Sequence, residues 1–219
     1  MLATALLMAV TAMANWPQEG ARIIPLPSPR LDGEVALEAT LSARKSVREY
    51  TDEPLSLTEL SQLLWAAQGV TYSGARRTAP SAGALYPIEL YVVAGNVEGL
   101  EKGLYRYRVG QHDLAEVAAE DVQAQLASAA LEQESVKNAP AVIVIAGVVE
   151  RTAQKYGQRA VRYVHMEVGA VAENILLQAA ALELGAVFVG AFSDTQVKQV
   201  LRMADEESPF AILPIGRAR

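Results

Sequence analysis

From Val161 to Leu184 the chain carries Val161, Val164, Val168, Val171, Ile175, Ala179 and Leu182 at helical spacing. The second half of this segment adds Leu176, Leu177, Ala180, Ala181 and Leu184, so it is apolar nearly all round. A helix of that kind is buried on more than one side. In a chain of 219 residues it is either the central helix of one core or a seam between two subunits. His165 and Glu167, in its first half, read as hydrogen-bonding groups at the rim of that core rather than as metal ligands.

The partners of this helix are legible as strands and shorter helices. Ala141-Val142-Ile143-Val144-Ile145-Ala146 is a continuous apolar run, the pattern of a strand covered on both faces. Ile88–Ala94, Val187–Val189 and Phe210–Ile215 read as further buried strands. Leu104–Arg108 alternates Tyr105 and Tyr107 with Arg106 and Arg108, as a half-buried strand does. Ser56-Leu57-Thr58-Glu59 is a capping box that opens a helix to about Gln68, with Leu60, Leu63, Leu64 and Ala67 as its core stripe. Short helices are expected over Val35–Ala43, Ala118–Leu131 and from a cap at Asp194 to Met203. Gly69–Arg77 reads as a flexible polar loop. Alternation of strands and helices, with no repeat and no internal boundary, predicts one layered domain over residues 34–219, preceded by an apolar segment and extended arm over residues 1–33.

Two stretches carry chemistry. In Thr78-Ala79-Pro80-Ser81-Ala82-Gly83-Ala84-Leu85-Tyr86-Pro87, two prolines bracket Ser81, Ala82, Gly83 and Ala84. So little side chain lets something flat approach the main chain; the same residues also suit an ordinary tight connection into a strand. In Arg44-Lys45-Ser46-Val47-Arg48, an extended backbone puts Arg44, Ser46 and Arg48 on one side. Two guanidinium groups and a hydroxyl there suit a phosphate or a carbonyl edge. A solvated basic segment at a helix C-terminus is the other reading.

Composition removes several functions. There is no cysteine, which excludes disulfides, thiolate catalysis and Cys-bound metals. With two histidines, a metal site is not expected. A net charge of -6 argues against nucleic acid as the main partner. No G-x-G-x-x-G, Walker loop, G-x-S-x-G or H-E-x-x-H is present. Met1–Ala14 is apolar or small and ends in Ala12-Met13-Ala14, which is expected to direct export to the periplasm or beyond. It lacks a basic start, so a packed helix on a cytoplasmic protein is the alternative, and it is too short to span a bilayer.

Taken in order, Arg-x-Ser-x-Arg, Pro-Ser-Ala-Gly-Ala-Leu-Tyr-Pro, Val-Gly-Ala-Phe and a C-terminal Ile-Gly-Arg resemble the FMN-dependent nitroreductase superfamily over residues 28–219. The branch with SagB-type and McbC-like azoline dehydrogenases is the most similar. The resemblance implies an α+β fold of three α/β/α layers, a mixed sheet flanked by helices, built as an interlocked homodimer with FMN at the subunit interface. It implies that Arg44, Lys45, Ser46 and Arg48 hold the phosphate, ribityl and pyrimidine parts of the flavin. Pro80, Ser81, Ala82, Gly83 and Ala84 would underlie the ring, Val189 and Gly190 would present a backbone N–H to flavin N5, and Arg217 and Arg219 would add C-terminal cations. Ala84 stands where many members carry Asn.

The implied activity is hydride transfer through FMN from NADH, NADPH or an organic donor to a nitroaromatic or quinone. Lys155-Tyr156, before Gly157 and Arg159, resembles the proton-transfer pair of the azoline-oxidising branch, and a solvated basic turn is its other reading. Ala170 follows Gly169 where that branch often shows Gly-His, which favours a general reductase over a peptide azoline dehydrogenase. A flavin carrier or sensor without turnover is the alternative of a different class.

Overall fold

The computed structural model describes residues 20–72 and 76–219. The expectation for residues 1–14 lies outside the described residues. The chain opens with strand β1 (Ile23–Pro25), helix α1 (Leu37–Ala43), β2 (Leu55–Ser56), α2 (Leu57–Gln68), β3 (Val70–Tyr72) and β4 (Arg76–Arg77). The middle runs β5 (Ile88–Ala94), β6 (Val97–Glu98), β7 (Gly103–Arg108), β8 (Asp113–Ala118), α3 (Gln123–Ala129), α4 (Glu134–Lys137) and β9 (Ala141–Gly147). It closes with α5 (Val149–Tyr156), α6 (Ala160–Ala181), β10 (Leu184–Ala186), α7 (Asp194–Val200) and β11 (Ser208–Arg217).

Seven strands form one sheet in the order β1-β8-β7-β5-β9-β11-β10. Every ladder in it is antiparallel, and among the described residues parallel pairing enters only at the margins, in the Ser46–Ala186 bridge and the separate β2–β6 pair. Strand period sorts the side chains into two cores. Ile88, Leu90, Val92, Ile143, Ile145 and Leu213 pack under α2 and α6, while Tyr91, Val93, Val142, Val144 and Ile212 pack under α3 and α7. The result is the expected three-layer α/β/α arrangement.

The capping box closes as read: Ser56 Oγ accepts from Glu59 N–H at 3.2 Å and Glu59 Oε2 accepts from Ser56 N–H at 2.8 Å. Leu60, Leu63, Leu64 and Ala67 are fully buried. On α6, Val164, Val168, Val171, Ile175 and Ala179 face the sheet. Each such side chain stabilises by about 1.5–3 kcal/mol when fully buried. Val161 and Met166 stay exposed, and so do Leu37 and Leu41 on α1.

Four local expectations change. Gly69–Arg77 is not simply a loop, because β3 and β4 pair across it. The Ala-rich helix does not begin at Ala118: that alanine ends β8, which pairs with β7, and the helix starts at Gln123. Tertiary pairing overrides helix propensity there. The strand read at Val187–Val189 lies three residues earlier, at Leu184–Ala186, and α6 stops at Ala181 to make room. The N-cap of α7 is Ser193 rather than Asp194. β7 keeps the expected alternation: Tyr105 and Tyr107 are buried, while Arg106 and Arg108 are partly exposed.

Two paired glycines, Gly185 and Gly216, let the segment after α1 lie close on the β10–β11 edge. A Cβ at Gly185 would come within 2.5 Å of Val47 Cγ1, and one at Gly216 within 2.9 Å of the Tyr50 ring. Val47 N–H donates to Ala186 O at 3.0 Å, and Tyr50 Oη donates to Val47 O and Pro214 O at 2.8 and 3.0 Å. Gly185→Ala should therefore push residues 44–48 off the sheet edge. We expect a loss of about 1–3 kcal/mol in unfolding free energy, measured by urea denaturation.

Candidate functional site

The loop between Pro80 and Pro87 is bent into a short 3₁₀ turn over Ala82–Ala84. Gly83 has φ 64°, and Ala84 and Tyr86 share the left-handed region at 54° and 46°. For non-glycine residues that conformation costs of the order of 1–2 kcal/mol each, so other contacts must hold it. Glu167 of α6 accepts the Ala82 N–H at 2.8 Å. Ser81 Oγ accepts the Tyr86 N–H at 2.9 Å. Arg151 of α5 donates to Tyr86 O at 3.2 Å, and Arg77 of β4 stacks over the Tyr86 ring at 4.3 Å.

Small residues on the loop leave an open cavity of about 330 Å³, walled by Pro80, Ser81, Ala82, Tyr163, Met166 and Glu167. Lys155 and Tyr156 reach the same loop. A Cβ built at Gly83 would lie 3.0 Å from Tyr156 Oη and 3.1 Å from Lys155 Nζ, so the absence of a side chain at Gly83 is what admits both. The Lys155 ammonium lies 5.5 Å from the Tyr156 ring centre, and Tyr156 meets Tyr163 edge to face. Pro80 to Ala84, Lys155 and Tyr156 therefore belong to one cluster, joined by Tyr163 and Met166. Sequence reasoning missed those last two. Both lie on α6 beyond the break at Gly157, so no local spacing tied them to Tyr156.

A second cluster lies at the other end of α6. Arg44, Lys45 and Val47 line a cavity of about 240 Å³ with Leu176, Ala180, Gly185, Ala186 and Ala218. Arg44 meets Glu173 only at 3.8 Å, and Lys45 is exposed. Ser46 and Arg48 are exposed outside this wall. Arg217 ion-pairs with Glu59 at 2.9 Å and Glu53 at 3.2 Å, while Arg219 is exposed and its N–H donates to Glu49 O at 3.2 Å. Hydrogen bonds from Ser56 and Arg217 hold the Glu59 carboxyl below its usual value against the opposing effect of burial. Val189 exchanges both backbone bonds with Ile212 at 2.9 Å, whereas Gly190 is exposed and its N–H has no protein partner among the described residues. Of the two N–H groups proposed for the flavin ring, only that of Gly190 is available.

Within one chain the two clusters stay apart. From Glu167 to Ala180, α6 advances about 20 Å. Between them α6 exposes Gly169 and Glu173.

A sheet covered by two helical layers, with a small-residue loop at one end of a long helix and a cationic cleft at the other, defines the nitroreductase class of oxidoreductases. The Nitroreductase family matches residues 41–217, and the chain belongs to that family. A nitroreductase-family protein of Methanocaldococcus jannaschii is 47% identical over 184 residues, covering 84% of this chain and 92% of that protein. The crystal structure of a nitroreductase-family protein of Ralstonia eutropha superposes with a TM-score of 0.78 at 34% identity, covering 90% of each chain. The trifolitoxin-processing protein of Rhizobium leguminosarum bv. trifolii is 34% identical over 135 residues, 58% of this chain and 36% of that protein.

Burial pushes the Glu167 carboxyl above its usual value, and the hydrogen bonds from Ala82 and Ser81 only partly offset it. A carboxyl raised in the fold binds its proton more readily folded than unfolded. Its contribution to stability therefore falls as pH rises from the ordinary glutamate value of about 4.3 through the raised one. Glu167→Gln should remove that decline while keeping an acceptor for Ala82. Glu167→Ala should cost about 1–3 kcal/mol by orphaning the N–H. Urea unfolding of the three proteins across this pH range checks both expectations.

Proposed function

We propose that the protein is an FMN-dependent reductase that works as a homodimer, taking hydride from NADH, NADPH or an organic donor and delivering it to a nitroaromatic or quinone. One observation carries this reading: two half-sites at opposite ends of α6, each incomplete alone. An antiparallel pairing of two copies along the exposed face of α6 would bring the cationic cleft of one subunit to the small-residue loop of the other. Exposed Val161 and Met166 on α6, with Leu37 and Leu41 on α1, supply apolar surface for such a contact.

The residues fit the cofactor. Arg44 and Lys45, with Arg48 exposed nearby in the chain and Arg219 exposed beside Glu49, offer several cations to a phosphate dianion. Ser81, Ala82 and Gly83 leave a shallow slot for a flat ring, and the Gly190 N–H is an unspent donor. Arg217 would hold a phosphate only by leaving Glu59 and Glu53, so its role is to fix the strand end beside the cleft. Bound FMN supplies reversible hydride chemistry at its N5.

The protein's own part is to bind, orient and exclude water, and Lys155 and Tyr156 can hold a proton beside Gly83. That last contact favours one second reading, a peptide azoline dehydrogenase, in which the pair moves a substrate proton. Similarity to a trifolitoxin-processing protein supports it; Ala170 weighs against it.

Purified protein incubated with FMN should bind one flavin per subunit and scatter light as a dimer. NADH or NADPH should bleach the flavin without oxygen, and a quinone or nitroaromatic should restore it. Bleaching with no reoxidation by any acceptor would instead indicate a carrier or sensor. Arg44→Ala should weaken FMN by about 1.5–3 kcal/mol, the worth of a charged hydrogen bond. Lys155→Ala and Tyr156→Phe should leave quinone turnover unchanged; loss of activity with an azoline peptide alone would identify the second reading.

A further inference from the structure

A third cavity, of about 310 Å³, lies on the other side of Arg77 from the loop, between β4, β5, β7 and the turn Val109–Gln111. Its wall carries three guanidinium groups, from Arg77, Arg106 and Arg108, and one carboxylate, from Glu89. Two of them are matched by carboxylates. Arg108 forms a fork with Asp113 at 2.6 and 2.5 Å. Arg106 lies between Glu89 at 3.0 Å and Glu207 at 2.7 Å.

Arg77 is different. Its partners are the neutral Gln68 Oε1 at 2.7 Å and the Tyr86 ring, and among the described residues no carboxylate forms an ion pair with it. Glu89 cannot take that place without leaving others, because Oε1 binds Arg151 at 2.6 Å and Oε2 binds Arg106. Burial, more than any neighbour, pushes the Arg77 guanidinium below its usual value. Arg77 is half-buried; Glu89 and Glu167 act on it only through space, and Glu89 offsets the effect of burial only in part. A cation held partly out of water with no carboxylate in direct contact is costly, and a polar cavity opens beside it.

We propose that this cavity binds a small anion, the carboxylate or phosphate group of a small organic molecule, with Arg77 as its counter-ion. The guanidinium fork matches two oxygens of either group. Stacking on Tyr86 leaves Arg77 edge donors for a ligand and ties the occupied cavity to the loop that carries Ser81 to Ala84. The lining of this cavity shares no residue with the walls of the other two clefts, so its binding can be tested apart from the flavin reading even though Arg77 also braces the loop.

The test is an NMR titration of the Arg77 Nε–H signal, assigned by its loss in Arg77→Lys, with inorganic phosphate and, separately, with acetate. Arg44→Ala, which disables the cationic cleft, serves as the background that separates the two sites. A saturable response of Arg77 to at least one anion, retained in Arg44→Ala, is expected, and the tighter anion identifies the ligand group. Calorimetry in that background should show roughly tenfold or weaker binding in Arg77→Gln, the loss of a charged hydrogen bond. No saturable response to either anion, a response that disappears in Arg44→Ala, or unchanged binding in a folded Arg77→Gln would overturn the proposal. Should Arg77→Gln fail to fold, the titration of the unaltered residue still decides.

Discussion

Everything at the functional end of this molecule depends on one face of α6 being buried against the sheet. Val164, Val168, Val171, Ile175 and Ala179 lock that face in place. The same helix then offers Tyr163, Met166 and Glu167 to one cluster and Leu176 and Ala180 to the other. A rigid rod sets a fixed separation between them. That separation keeps the two clusters apart within one chain.

Strain at the loop is sustained by the same economy. Left-handed backbone at Ala84 and Tyr86 survives because the surroundings over-determine it. Its brackets come from three places: Glu167 on α6, Arg151 on α5 and Arg77 on β4. Small side chains alone would leave a loop of many conformations. Held from three sides, they become a fixed, shallow surface.

The charged groups behind the loop form a chain. Tyr91 Oη donates to Glu207 at 2.5 Å, Glu207 pairs with Arg106, Arg106 with Glu89, and Glu89 with Arg151. Buried ion pairs add little net stability compared with apolar packing, but removing one member is costly because the other charge is stranded. Their use here is geometric: they fix the direction of Arg151, and through it the Tyr86 carbonyl. Burial raises the Tyr91 hydroxyl well above its usual value, so it remains a donor to Glu207.

Local periodicity made the three layers legible. The two-faced run at Ala141–Ala146, the capping box at Ser56 and the spacing along Val161–Ala181 each describe burial that a single element imposes on its own residues. The small-residue loop was legible for the same reason, since two prolines restrict the backbone at its ends and Gly83 allows the positive φ between them, whatever lies nearby. β8 was not, because Asp113–Ala118 becomes a strand only by pairing with β7 on one side and β1 on the other. Nor was the partnership of Glu167 with Ala82, 85 residues apart in the chain, or the placing of Arg77 beside a polar cavity. A sequence determines what each segment must bury, because that follows from side chains a few residues apart. Which charge meets which, and which is left unpaired, depends on distances between segments, and those exist only once the sheet has brought the segments together.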